Sequence, residues 1–261
     1  MAEHIVHDPW AVANPTKQLM RERALLSSEV LLFFLVGYFG VGWLATDPAD
    51  ARTLELPLDA AIPFVLGSVV VYWSILPMGL LPIFVVRDPA LFRRVALAYS
   101  LAIGISLAVF VVLPVTSKDF RVDAAAFAGA GFAGWLLQLL YTLDPPLNLF
   151  PSLHLALAFL AALAAWCTHR GVGVLALAWT ACIAVSVCTT KQHFAADVVA
   201  GIALGALAHF AIVAHSGASQ RDRAELVGHG LALFAALVAL FYAGLYGAYL
   251  ARVEPWTWTI G

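Results

Sequence analysis

The stretch Val95-Ala-Leu-Ala-Tyr-Ser-Leu-Ala-Ile-Gly-Ile-Ser-Leu-Ala-Val-Phe-Val-Val-Leu-Pro-Val115 contains no charged residue. It is long enough to cross the hydrocarbon core of a bilayer as a helix, which takes about 20 mainly apolar residues. On its N-terminal side lie two further runs of this kind, Ala24–Ala45 and Ala60–Val86. On its C-terminal side lie Pro151–Thr168, Val172–Thr189, Phe194–His215 and Gly230–Ala251. An eighth run, Ala124–Leu143, is rich in Ala and Gly between short polar stretches and is expected to lie in or dip into the membrane interface. The whole chain agrees with this reading: 62% of it is hydrophobic, 11% is charged and the mean hydropathy is +0.90. A soluble domain carries roughly 25% charged residues, so an ordinary cytosolic enzyme or a disordered chain is excluded. The expected fold is all-α: a polytopic membrane helix bundle of six core spans, an extra C-terminal span and an interfacial helix, in a single transmembrane domain over residues 1–261.

Charge sets the expected orientation. With a cytoplasmic N-terminus, nine of the fourteen basic residues fall inside: Lys17, Arg21, Arg23, Arg87, Arg93, Arg94, Arg170, Arg221 and Arg223. The first outer loop, Thr46–Asp59, carries Asp47, Asp50, Glu55 and Asp59 against Arg52 alone. Met1–Arg23 is polar, lacks the apolar core of a signal peptide and is expected to be an interfacial lead-in with Trp10 as an anchor. The net charge of −2 offers no basic face for nucleic acid. Cys167, Cys182 and Cys188 are too few for a disulfide framework and read as small buried hydrophobes.

Two polar segments stand out. The first is Asp144-Pro-Pro-Leu-Asn148-Leu-Phe-Pro151-Ser152-Leu-His154. The second is Ser186-Val-Cys-Thr189-Thr190-Lys191-Gln192-His193-Phe-Ala-Ala-Asp197. Two spans separate the histidines, and an even number of crossings returns both to the outer face. His193 and Asp197 are spaced i, i+4, which places them on one helix face. A carboxylate there can hold one imidazole nitrogen and leave the other free to react. Lys191 and Gln192 precede the helix, whose N-terminus attracts anions. Three bases that oppose the orientation bias, Lys118, Arg121 and Lys191, sit close to these segments. The pattern points to phosphoryl transfer: bases neutralise the phosphate, one histidine attacks, and the other protonates the departing alcohol. A site at headgroup level suits a lipid phosphate substrate, with water or an alcohol as acceptor and membrane lipids around it.

At these residues the sequence resembles the type 2 phosphatidic acid phosphatase superfamily. That family has a basic first motif, then Pro-Ser-x-His, then a third motif ending His-x-x-x-Asp. Pro151-Ser152-Leu153-His154 looks like the second motif and Ser186 through Asp197 like the third, with Ser seven residues before His193. Val187 stands where the third motif usually has Arg, and Leu153 replaces a Gly. Both departures look like the branch that contains inositol phosphorylceramide synthases, in which a phospho-headgroup passes to a lipid alcohol. The resemblance covers about residues 110–205, with catalytic motifs within about 114–201. It implies His193 as nucleophile, forming a phosphohistidine, Asp197 as its orienting partner, and His154 as acid and then base. It further implies phosphate binding by Ser152, Lys191 and a first-motif base, with no metal and no cofactor.

Arg87-x6-Arg94 has the first motif's spacing, but Val95 follows in place of Pro and the expected topology puts the pair inside. Pro114-Val-Thr-Ser-Lys118-Asp-Phe-Arg121 is on the correct side and is the first-motif candidate. Asn148 and Asp144 complete the candidate binding set. Each polar residue also has a plainer reading. Lys118, Arg121 and Lys191 can snorkel, Ser152 can cap a helix, and Asp144 and Asn148 suit a turn at Pro145-Pro146. Gly201-x-x-x-Gly205 reads as close helix packing. Rival functions are an anionic-lipid transporter that uses the same bases, a histidine-ligated metal protein and a Ser152 protease. The His-Asp spacing has little use in the first, no further His or Cys cluster supports the second, and the third lacks a Gly-x-Ser-x-Gly setting.

Overall fold

A computed structural model describes residues 15–44, 51–127, 129–144, 146–214 and 224–257. Trp10, Arg221, Arg223, His215 and the start of the first outer loop lie outside these residues. The described chain is helical: α1 Pro15–Leu44, α2 Pro57–Ala61, α3 Ser68–Trp73, α4 Ile75–Val85, α5 Pro89–Val112, α6 Gly131–Leu143, α7 Leu153–Thr168, α8 Arg170–Thr189, α9 Ala195–Ala208 and α10 Ala224–Leu250. Six stretches are long and apolar enough to cross a bilayer: Lys17–Val41, Ser68–Val85, Pro89–Val112, Arg170–Thr189, Ala195–Val213 and Val227–Leu250. Large apolar side chains such as Val112, Leu175, Val199, Leu207 and Leu240 are exposed on the outside of the bundle. Such a surface suits lipid and would aggregate in water. The expected all-α membrane bundle is therefore the fold.

Particular residues set where the elements begin and end. The expected second span, Ala60–Val86, is broken. Pro63 disfavours helical backbone at the residue before it, and Ile62 accordingly adopts ψ 119° and ends α2. The helix resumes at Ser68 and is interrupted again at Ser74, whose hydroxyl turns back to the carbonyl of Val71 at 2.6 Å. The expected sixth span, Phe194–His215, is α9 followed by a π-helical turn over His209–Val213. The Ala124–Leu143 run becomes a 3-10 turn, Ala124–Phe127, and the 13-residue α6. At 1.5 Å per residue α6 is about 20 Å long, too short to span by itself.

The 16-residue α7 is the innermost helix. Leu155, Ala156, Ala158, Leu160, Ala161, Ala162, Ala164 and Ala165 are all buried, and small side chains let its neighbours close in. A Cβ on Gly201 would stand 2.3 Å from the Ser152 carbonyl oxygen, and one on Gly205 would stand 2.7 Å from that of Ala156. The Gly201-x-x-x-Gly205 pair is thus the seam along which α9 lies against α7. Leu153 packs with Ile103 and Phe110, so α7 starts below the end of α5. The residues before α2 and after α5 meet at that same end, where Arg52 N–H donates to Pro114 (2.9 Å) and Thr116 N–H to Arg52 (2.8 Å). At the opposite end, Arg93 is paired with Glu22 and Arg23 donates to the Ile83 carbonyl at 2.8 Å.

Candidate active site

The close α7–α9 seam brings the first turns of both helices together. Ser152 N–H donates to the Asp197 carbonyl at 3.0 Å. The rings of His154 and His193 then meet edge to face, with centroids 5.9 Å apart. Behind His193, its Nδ1 lies 3.3 Å from Asp197 Oδ2. That oxygen also accepts the N–H of Phe194 at 3.0 Å, and His193 and Asp197 are both buried. The expected shared helix face is not what pairs them, because His193 precedes α9: Asp197, in the first turn of α9, reaches back over the helix start to Nδ1 and leaves Nε2 turned away from the carboxylate.

His154 stands between two tyrosines that the sequence reading did not single out. Tyr38 from α1 and Tyr72 from α3 both meet its ring edge to face, with centroids 6.3 Å and 6.1 Å away. Both hydroxyls also donate to Asp144, Tyr38 to Oδ1 and Tyr72 to Oδ2 at 2.8 Å. Gln192 Nε2 adds a third donor at 2.7 Å. Asp144 thus ties α1, α3, the end of α6 and the turn between α8 and α9 to one carboxylate. Burial raises this carboxyl, but His154, the Tyr38 hydroxyl, Arg121 and His193 outweigh burial and hold it below its ordinary range. Charge-assisted bonds to a fixed carboxylate are the strong kind, and this one is placed to order the site.

The other candidate residues are also met by protein groups. Arg121 reaches the Asp144 carbonyl at 2.6 Å and that of Tyr141 at 3.4 Å, and its guanidinium lies over the Tyr141 ring. Its Nε is buried without a partner. Lys191 donates to the carbonyls of Asp59 (3.0 Å) and Ile62 (2.6 Å), and lies 4.4 Å over the Phe120 ring. An ammonium has three donors, and these two carbonyls take two of them. Asn148 sits at φ 61° and donates to the Tyr38 carbonyl at 3.3 Å, a turn role that suits Asn. Ser152 caps α7, accepting from Leu155 N–H at 3.4 Å. Lys118 is exposed on the Ser117–Phe120 turn.

The sequence reading missed Asp59 as well. It is buried, its Oδ1 accepts from Ala195 N–H at 2.7 Å and its Oδ2 from Leu56 N–H at 2.7 Å. The N-terminus of α9, expected to attract an anion, is therefore met by two of the protein's own carboxylates, Asp59 and Asp197. Asp59 carried no signal beyond being one acid in an outer loop. The Arg87–Arg94 pair lies at the N-terminal end of α5, Arg94 about 14 Å and Arg87 about 24 Å along the chain's helical rise from Ile103, which packs on Leu153 beside the site. Among the described residues no three His, Cys, Asp or Glu side chains gather as metal ligands.

A family model of the PAP2 superfamily matches residues 59–211, which run from Asp59 through both histidine segments to the π-helical turn. The chain belongs to the PAP2 superfamily. Searches among curated proteins and among solved structures return no match.

Proposed function

We propose that this chain is a membrane phosphoryl-transfer enzyme that acts on a lipid phosphate ester through a phosphohistidine at His193. The observation that carries the reading is the pair of imidazoles 5.9 Å apart with Asp197 behind only one of them. A nucleophile needs a fixed ring and an orienting partner, and His193 has both. His193 Nε2 attacks phosphorus, a P–N bond forms, and the P–O bond to the lipid alcohol breaks. His154 gives its proton to the departing oxygen. In the second half His154 takes a proton from the acceptor, whose oxygen displaces His193.

Charge on the transferring group is met by Lys191, by Arg121, by Lys118 and by the hydroxyl of Ser152. Asp144 and Asn148 contribute by placing Tyr38, Tyr72, Gln192 and Arg121. The acceptor is water in a phosphatase, or a lipid or inositol-type alcohol in a headgroup transferase. Leu153 and Val187 support the transferase branch. The site needs no metal, because side chains supply its positive charge. Following the charge count, it faces away from the cytoplasm.

The test is purified full-length protein with a panel of labelled lipid phosphates, with and without alcohol acceptors, read by mass spectrometry. Release or transfer of phosphate that persists in a chelator is expected. No turnover of any lipid phosphate, or turnover lost in chelator and restored by a divalent cation, overturns the proposal.

A further inference from the structure

Helix α1 packs on α5 and α4 packs on α7, and between α1 and α4 a cleft of about 150 Å³ remains. Its back wall is α5. At one end it reaches His154; at the other it reaches Leu26, Ile83 and Phe92. Arg23 closes that lower end, donating to the Ile83 carbonyl and lying 4.3 Å over the Phe92 ring. The rim residues Leu31, Leu76 and Leu80 are exposed, so the cleft opens sideways on the surface that faces lipid.

We infer that this cleft holds one hydrocarbon chain of the lipid whose phosphate sits between His154 and His193, and that its floor limits the chain's length. The inference rests on the proposed function and names the part of the substrate that the histidines do not touch. Three observations carry it. The walls are apolar, and Tyr99, the most polar side chain deep within, is satisfied by the carbonyls of Gly79 and Leu157 at 3.1 Å each. Apart from Tyr99, Ser27 on α1 and His154 at the head end, the lining side chains are apolar, which suits hydrocarbon rather than water or a polar group. The length fits too: from Ile103 beside His154 to Phe92 at the floor, the rise of α5 is about 16 Å, and one leaflet of hydrocarbon is about 15 Å deep. Finally, the cleft is continuous with a reacting group, so a chain in it is tethered to a head at His154.

Gly79 provides the test. It lines the cleft, and a Cβ built there meets nothing within 4 Å. Gly79→Leu is therefore expected to project into the cleft from a Cβ that clears the protein, and Gly79→Ala serves as the control for the helix. Turnover of dioctanoyl and dipalmitoyl phosphatidic acid and of nitrophenyl phosphate is measured for the full-length protein and both variants. Gly79→Leu is expected to lower kcat/KM for the dipalmitoyl lipid by roughly tenfold or more, the worth of about two unburied methylenes. The dioctanoyl lipid should suffer less, and nitrophenyl phosphate and the melting temperature should stay as in the unaltered protein.

A dipalmitoyl phosphatidic acid with a diazirine at one chain end, photolysed in vesicles, reads the cleft without turnover. Label is expected on peptides containing Leu26, Ile83 or Phe92, and it is expected to be lost in Gly79→Leu. Equal turnover and equal labelling in Gly79→Leu, or label confined to other lipid-facing helices, overturns the inference. If these peptides are labelled in a chain that turns over no phosphate ester, the proposed reaction falls and the cleft stands.

Discussion

The ammonium of Lys191 lies 2.6 Å from the carbonyl oxygen of Ile62, 129 positions earlier in the chain. The carbonyl is available because Pro63 ends α2 at Ile62. The bond ties the turn between α8 and α9 to the end of α2, the helix that also supplies Asp59 to the first turn of α9. Lys191 is thereby a brace as well as the proposed phosphate-binding base two residues before His193.

Lys191→Gln should lower both the melting temperature and turnover. Turnover should fall by roughly two orders of magnitude, the scale of losing one charge-stabilising group. Replacing Arg87 and Arg94 together with Gln should leave turnover within a few fold, since both sit at the far end of α5. Steady-state kinetics on one lipid phosphate compares the three proteins. The reverse ranking would make Arg87-x6-Arg94 the first motif.

The two histidines should fail differently. His193→Ala should form no phosphoenzyme with any substrate. His154→Ala loses the acid that a lipid alkoxide needs, but a nitrophenolate leaves with little protonation. It should therefore still phosphorylate His193 from nitrophenyl phosphate and then turn over slowly for want of a base. Acid-labile label should accumulate in His154→Ala and be absent from His193→Ala; the opposite distribution would exchange their roles.

Asp144 should show its value as a function of pH. Its carboxyl is held below the ordinary value of 3.8, so the folded state favours the charged form. Stability from that preference is present above the unfolded value and is lost as pH falls through the folded one. Asp144→Asn keeps the size but offers an amide to Tyr38, Tyr72 and Gln192, and should cost about 1–3 kcal/mol at neutral pH. The gap in melting temperature between the two proteins should narrow as pH falls below 3.8. A gap that widens in acid would contradict the charged hub.

Gly201→Ala should disable the protein from a position that holds no chemistry. Its Cβ would meet backbone, the Ser152 carbonyl, at 2.3 Å, which no side-chain rotation relieves. The start of α7 must then move from α9, and the two imidazoles with it. Turnover should fall at least about tenfold and thermal stability should drop by about 1–3 kcal/mol, the usual cost of overpacking. An active, stable Gly201→Ala protein would mean that the α7–α9 seam does not set the histidine spacing.

Asp119 is exposed on the turn beside Lys118. In intact cells, Asp119→Cys should react with an impermeant maleimide added from outside, above the background of the unaltered protein. Labelling only after permeabilisation would reverse the proposed orientation.

The sequence by itself determined the membrane bundle, the pairing of His193 with Asp197 and the return of both histidines to one face. Each follows from a local or one-dimensional rule: an uncharged run as long as a bilayer is thick, a four-residue spacing across a helix start, and an even count of crossings. It also marked Gly201-x-x-x-Gly205 as a packing seam, because small residues one turn apart matter only where backbones approach. Only the tertiary structure decided that Asp144 collects Tyr38, Tyr72 and Gln192, that Asp59 caps α9, and that Lys191 is held by Ile62. Those partners are separated by 48 to 136 residues. No periodicity links them, and their hydrogen bonds exist only once the helices have packed.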